Sequence, residues 1–278
     1  MDVRNIQKSG NAYYVYLPTS WCKQNNVSPK SKISFDMSSK GNLVVSPYIS
    51  ETHEKMLNLK IPENDMFIIN MFIAGAYINP VKSFTIQLDK EVKSLDIVDH
   101  KKILSGVELV EFDNKKISCE SVVSIEDPDL VIGIMTRKLV AMINSIINNE
   151  SKELIEKYED EIDRSKILVY KSVVSSMMFK RVCKLRHIEL LYIMNIARDL
   201  EAIGDHLIEA SEKNKIMLKE LLQNIKTLDN TIKNINQQNV LNFLREVKSF
   251  SGKHNTKYGS HMKSIGESLV DWLITNMI

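Results

Sequence analysis

The sequence predicts a multidomain α+β protein: a β-rich head over residues 1–48, a small α/β connector over 49–125 and an all-α bundle over 126–278. Three observations predict it. Short runs of branched and aromatic residues, broken by Gly, Pro and Asn, fill the first segment. Strand-like and helix-like patterns alternate in the second. Long stretches with apolar residues three and four apart, free of proline after Pro128, make up the third. At 278 residues the chain is long enough for several domains and a substantial core.

In the head, "AYYVYLP" reads as a strand ended by Pro18, and "TSWCKQNN" as a helical turn capped by Thr19 or Ser20 and stopped at Asn25–Asn26. "SKISFDM" and "GNLVVSP" read as two more strands joined through "SSKGN". Tyr14 and Tyr16 share a face and suit a core, and Trp21 suits a packing anchor. A unit this small cannot bury enough apolar area alone, so dimerisation through it is expected. Residues 1–50 carry six cations (Arg4, Lys8, Lys23, Lys30, Lys32, Lys40) against Asp2 and Asp36, a surplus of +4, while the whole chain has a net charge of +2. A basic head on a mildly acidic body points to a polyanion partner for the head.

In the connector, "MFIINMFIAGAYI" and "SFTIQL" read as strands, "DKEVKSLDIVDHKKIL" as a helix, and "VELVEF" and "KISCESVV" as short strands. No chemical motif stands out in this segment.

In the bundle, the first helix opens after Asp127-Pro128, with Asp129 also able to cap it. Its apolar stripe starts at Leu130, Ile134 and Met135 and continues through Leu139, Met142, Ile143 and Ile146. Ser151 caps a second helix, "SKELIEKYEDEIDRSKILVYKSVVSSMM". "IELLYIMNIARDLEAIGDHLIEASEKN" forms a third, and two or three more follow. "LEAIGDHLIEA" (200–210) aligns with "MKSIGESLVDW" (262–272), with Ile203-Gly204 matching Ile265-Gly266, Asp205 matching Glu267 and Glu201 replaced by Lys263. The bundle is therefore expected to hold two three-helix repeats, about 126–212 and a degenerate one at about 213–278.

The acids of the third helix raise a chemical question. Glu201 and Asp205 stand about 40° apart on the helical wheel, at the edge of a face formed by Ile193, Ile196, Leu200, Ile203, Leu207 and Ile208. Gly204 on that face admits a close neighbour, and Asp199 and His206 point away on the other flank. Like charges one turn apart repel. The second helix repeats the arrangement with Glu159 and Asp163 beside Ile155, Ile162, Tyr170 and Val173, while Asp160 is placed to pair with Arg164. Four carboxylates in one seam invite a hard cation such as Mg²⁺, Ca²⁺ or Mn²⁺, or iron. The competing reading is a salt-bridged helix edge, with Arg198 neutralising Glu201 and Asp205.

These motifs resemble a known family. "RDLEAIGDHLIEASEKN" is similar to the signature that ends the metal-binding helix of PhoU proteins, and "YEDEIDRSK" resembles its partner motif on the preceding helix. The resemblance implies two three-helix units, metal ligation by ExxxD motifs and negative regulation of phosphate uptake. It makes Glu159, Asp163, Glu201 and Asp205 the metal ligands, with Asp160 a further candidate, for iron or a Mg/Mn-type cation. The C-terminal copy departs from the pattern, because Lys263 replaces the first acid and "NFLREVKSF" lacks ExxxD; one metal site per chain is expected.

The head resembles an AbrB-type (SpoVT-AbrB) swapped-hairpin domain, with basic residues before a Gly-containing turn, a strand ending in Leu-Pro, a short helix near a Trp and a hairpin. Ser31 stands where that family usually has Gly. The combination is similar to an archaeal regulator type. The resemblance implies a homodimer that binds DNA, with Arg4, Lys8, Lys23 and Lys30 at phosphates and Asn11 and Tyr13 at base edges or sugars.

The leading expectation is a DNA-binding transcriptional regulator of phosphate homeostasis. The alternative is an adaptor whose head only dimerises while the bundle docks on a phosphate transporter or sensor kinase. An enzyme is disfavoured: there is no nucleophile–base pair, no phosphate-binding Gly loop and no Glu-x-x-His of a di-iron bundle. Scattered Cys22, Cys119 and Cys183 without CxxC, and no apolar N-terminal stretch, point to buried free thiols in the cytoplasm. Stretches such as "MFIINMFIAGAYI" are too short to span a membrane.

Overall fold

The computed structural model describes residues 3–37, 43–47, 56–91, 104–113, 115–121, 127–179, 185–211 and 214–278. It divides into two compact units, Met1–His53 and Glu54–Ile278.

In the first unit, β1 (Gln7–Ser9) and β2 (Ala12–Tyr14) form an antiparallel hairpin. Gly10 makes the turn with φ +60°, a conformation that costs glycine nothing. Only the first three residues of "AYYVYLP" pair. Next comes α1 (Thr19–Gln24), which has Pro18 at its N-cap and no side-chain cap, so neither Thr19 nor Ser20 serves as expected. Asn26, at φ 53°, ends it. Ser31 does not need glycine's freedom: its hydroxyl accepts from the Ser28 backbone N–H at 2.9 Å and closes the turn. Antiparallel β3 (Ser34–Met37) and β4 (Leu43–Ser46) finish the unit; the "SSKGN" link lies outside the described residues. Among the described residues of this unit none is buried, and Tyr13, Tyr14, Tyr16, Phe35 and Met37 are all exposed. Tyr14 and Tyr16 thus form no core within one chain.

The second unit opens with a four-stranded sheet in the order β5-β6-β8-β7, from β5 (Met56–Ile61), β6 (Ser83–Leu88), β7 (Val107–Asp113) and β8 (Lys116–Ser121). β5 and β6 run parallel, and the other neighbours run antiparallel. Parallel pairing requires a crossover, and "MFIINMFIAGAYI" supplies it as α2 (Met66–Ile78). The strand expected there is therefore wrong. The Asp65 carboxylate accepts from the N–H groups of Phe67 and Ile68 and caps a helix, a contribution of about 1 kcal/mol. Ile69, Ile73, Ala76 and Tyr77 then fall on one buried face. β5, which sequence reasoning left out, is legible afterwards in the alternation of Leu57, Leu59 and Ile61. The helix expected over "DKEVKSLDIVDHKKIL" falls largely outside the described residues.

Six long helices complete the unit, in two runs of three: α3 (Pro128–Ile147), α4 (Lys152–Phe179) and α5 (His187–Leu207), then α6 (Lys215–Lys233), α7 (Gln237–Lys253) and α8 (Lys257–Met277). The Ser151 hydroxyl accepts from the Leu154 N–H at the start of α4, as expected. α3 begins its buried stripe at Val131, Ile132 and Met135; Leu130 and Ile134 lie on the exposed side. The buried stripe of the first turn thus lies one residue away from the expected one.

α3 also has the length and apolarity of a membrane span, contrary to the expectation that the apolar stretches are too short. Packing accounts for that apolarity, because Ile132, Met135, Leu139, Met142 and Ile143 are fully buried in one continuous bundle core. The two runs of three meet where α3 packs on α6 and α5 on α8. At the latter seam Glu189 accepts from the Trp272 indole N–H at 3.2 Å. Sheet and bundle are pinned at Tyr77, whose backbone oxygen accepts from buried Lys171 at 2.6 Å while the ammonium lies 4.1 Å from the ring centre. Of the cysteines, Cys119 is a buried free thiol as expected and Cys22 a free thiol only half-buried; Cys183 lies outside the described residues.

Candidate metal centre

α4 and α5 pack along their length, and the pattern of apolar residues sets which acids meet. Burial of Ile162 on α4 and of Leu200, Ile203 and Leu207 on α5 brings the edges of the two apolar faces together. Glu159 and Asp163, one turn apart on α4, reach that edge with Asp205 of α5. One carboxylate oxygen from each of these three lies within 4.8 Å of the others. Glu159 and Asp163 are half-buried and Asp205 is exposed, so the group opens to solvent at its α5 side.

The crowding shows in the acidities. Burial pushes the Asp163 carboxyl up to about 7, helped by the charges of Glu201 and Glu159. Glu159 is also raised, first by burial and then by Asp160, Asp205 and Glu201. Asp163 Oδ1 is buried without a hydrogen-bond partner. An orphaned buried carboxylate oxygen beside two further acids is a costly arrangement, and an all-oxygen set of this kind suits a hard divalent cation.

The other expected ligands take different places. Glu201 faces the same seam but forms an ion pair with Lys166 of α4. Burial alone would lower the Lys166 ammonium, but the Glu201 bond together with the charges of Glu201, Asp163 and Tyr170 raises it on balance. Lys166, which sequence reasoning missed, thus neutralises Glu201. The Arg198 guanidinium lies 3.9 Å from Asp199 instead. Asp160 is exposed, outside the group of three, and reaches it through its charge on Glu159. Arg164, the expected partner of Asp160, pairs with Glu161, which also binds Lys138 of α3 at 2.9 Å.

Gly204 has a milder role than expected. A methyl group there would meet Ile162 side-chain carbons at 3.4 and 3.5 Å and Leu139 at 3.8 Å, ordinary contacts with side chains and not with another backbone. Asp199 and His206 both lie on the side of α5 that meets α8. Asp199 is only 4% exposed and accepts from Ser264 Oγ at 2.6 Å, with His261 Nδ1 at 3.0 Å. The His206 backbone oxygen accepts from Tyr258, and its ring lies 5.5 Å from that of His261. The flank of α5 opposite the acids is therefore its seam with α8.

In the head, Arg4, Lys8, Asn11, Tyr13, Lys23 and Lys30 are all exposed. Lys8 and Tyr13 are cross-strand partners, with the ammonium 5.6 Å from the ring centre. The first hairpin thus carries Lys8, Asn11 and Tyr13 within one short strand pair and its turn, while Lys23 lies on α1 and Lys30 in the loop beyond it.

Compared with known protein families, the chain matches the PhoU domain at residues 131–214, a segment that holds both acid pairs and Lys166. No curated protein and no solved structure matches the chain.

Proposed function

From a PhoU domain over residues 131–214, we propose that this chain is a cytoplasmic, homodimeric, DNA-binding regulator of phosphate uptake whose helical domain holds a metal ion. PhoU proteins are regulators rather than enzymes, and the domain supports a role in phosphate homeostasis. The observation that carries the metal reading is the meeting of Glu159, Asp163 and Asp205 around an orphaned carboxylate oxygen inside that domain. Glu201 and Asp160 border the same centre. The ion, iron or a Mg/Mn-type cation, supplies charge compensation; the residues hold it and draw α4 and α5 together.

The head, residues 1–48, is the AbrB-like DNA-binding and dimerisation part, and 49–125 connects it to the bundle. Support for the dimer is physical: no described residue of the head is buried within one chain, so a second copy is needed to cover its tyrosines, Phe35 and Met37. Two-fold pairing doubles the exposed cations, which favours a polyanion.

The test is binding to DNA carrying the chain's own upstream region, measured across salt concentrations. Affinity should fall linearly on logarithmic axes, and Arg4→Ala/Lys8→Ala should weaken it by about tenfold or more with a shallower salt slope. Unchanged binding by the double variant would remove the DNA assignment. A dimer that shifts no DNA at low salt but captures a phosphate transporter would favour the adaptor reading.

A further inference from the structure

Lys166 lies one turn beyond Asp163 on α4 and reaches across the seam to Glu201 of α5. The order along the seam is Glu159, Asp163, Lys166 against Asp205, Glu201, as antiparallel neighbours require. The Lys166 side chain is 24% exposed and that of Glu201 15%. An ion pair so sheltered is harder to break than a surface pair. The Lys166 charge is also felt by Asp163.

We propose that the Lys166 ammonium occupies the position of a second cation, so that the seam takes a single divalent ion on Glu159, Asp163 and Asp205 while Glu201 stays with Lys166. This rests on the metal reading above and adds its stoichiometry. Four carboxylates against one ammonium leave three negative charges uncompensated. One divalent ion reduces the excess to a single charge, and a second would turn the half-buried seam positive with Lys166 in place. A second ion would also need Glu201 as a ligand, which requires Lys166 to give it up. Without the lysine, four carboxylates balance two divalent ions, and Glu201 is free to ligate.

The experiment titrates Mn²⁺ into the full-length, metal-stripped chain and reads heat and the Mn²⁺ paramagnetic resonance spectrum. The wild type should bind about one ion per chain with the spectrum of an isolated ion, whereas Lys166→Met should bind about two and show a spin-coupled pair. Lys166→Arg keeps a cation and should stay at one. Lys166→Gln serves as a second neutral variant, with cooperative melting confirming that each variant is folded. Two ions in the wild type, or one in both neutral variants, would overturn the proposal. No Mn²⁺ binding by the wild type, with Asp205→Asn indistinguishable from it, would instead remove the metal centre, and this inference with it.

Discussion

The metal-stripped chain should melt at a higher temperature at pH 5.5 than at pH 8, by roughly 2–4 °C. The cause is the Asp163 carboxyl, pushed up to about 7 by burial and by its neighbours' charges, against about 3.9 in an unfolded chain. The folded state binds that proton more tightly, so stability is highest with the proton on. It is lost as pH rises through the interval from about 4 to about 7. The full interval corresponds to about 4 kcal/mol at 1.36 kcal/mol per unit, and screening of a partly exposed group reduces it to about 2. The part between pH 5.5 and 7 is about 1 kcal/mol. Glu159, also raised, adds in the same direction. His206, lowered first by burial and then by Lys257 and His261, opposes it, but most of that imidazole is solvated and its contribution is small. Glu161 and Glu220 are lowered by their bonds to Lys138 and Lys253. They lose their stabilisation only below about pH 4.5, outside this window.

A bound divalent ion reverses the slope, because it holds the carboxylates ionised and competes with protons. With saturating Mn²⁺ the chain should be more stable at pH 8 than at pH 5.5. Asp163→Asn separates the two effects: stripped of metal, the variant should melt higher than wild type at pH 8 and lose most of the pH slope, and it should bind Mn²⁺ much more weakly. Thermal melts by circular dichroism at both pH values, with and without Mn²⁺, read all of this. Equal slopes in wild type and Asp163→Asn would refute carboxylate crowding at the seam.

Much of this site was legible in advance because helical spacing alone puts Glu159 with Asp163, and Glu201 with Asp205, on apolar edges. What spacing does not carry is which residue on the facing helix neutralises which acid. Arg198 is nearer to Glu201 in sequence, yet Lys166 reaches it, since the partner is chosen by the packing of α4 on α5. The same limit explains α2. A continuous apolar run has no period to distinguish strand from helix, and the deciding signals were its length and the capping Asp65. In the head, alternation identified strands, but the two short hairpins form no core of their own, with no buried residue among those described.

Asp199→Ala should destabilise the folded chain by about 3 kcal/mol, lowering its melting temperature by roughly 6–12 °C. On the sequence, Asp199 points away from Glu201 and Asp205 on the other flank of the helix; in the fold that flank is buried between α5 and α8. Truncation leaves Ser264 Oγ and His261 Nδ1 facing a void at the seam between α5 and α8. Removing one partner of a buried polar set costs the desolvation of what remains. Asp199→Asn keeps an acceptor for Ser264 and should cost less than half as much. Neither variant should change Mn²⁺ stoichiometry, because Asp199 lies on the flank of α5 away from Glu201 and Asp205. Loss of Mn²⁺ from Asp199→Asn at an unchanged melting temperature would assign Asp199 to the metal centre instead. The contrast with Asp163→Asn is the informative comparison. One neutralised acid relieves repulsion and raises stability while metal is lost; the other breaks a satisfied network and lowers stability while metal is kept. Two aspartates at the two seams of α5, one shared with α4 and the other with α8, thus separate by sign, because one carboxylate is crowded by its own kind and the other is met by donors.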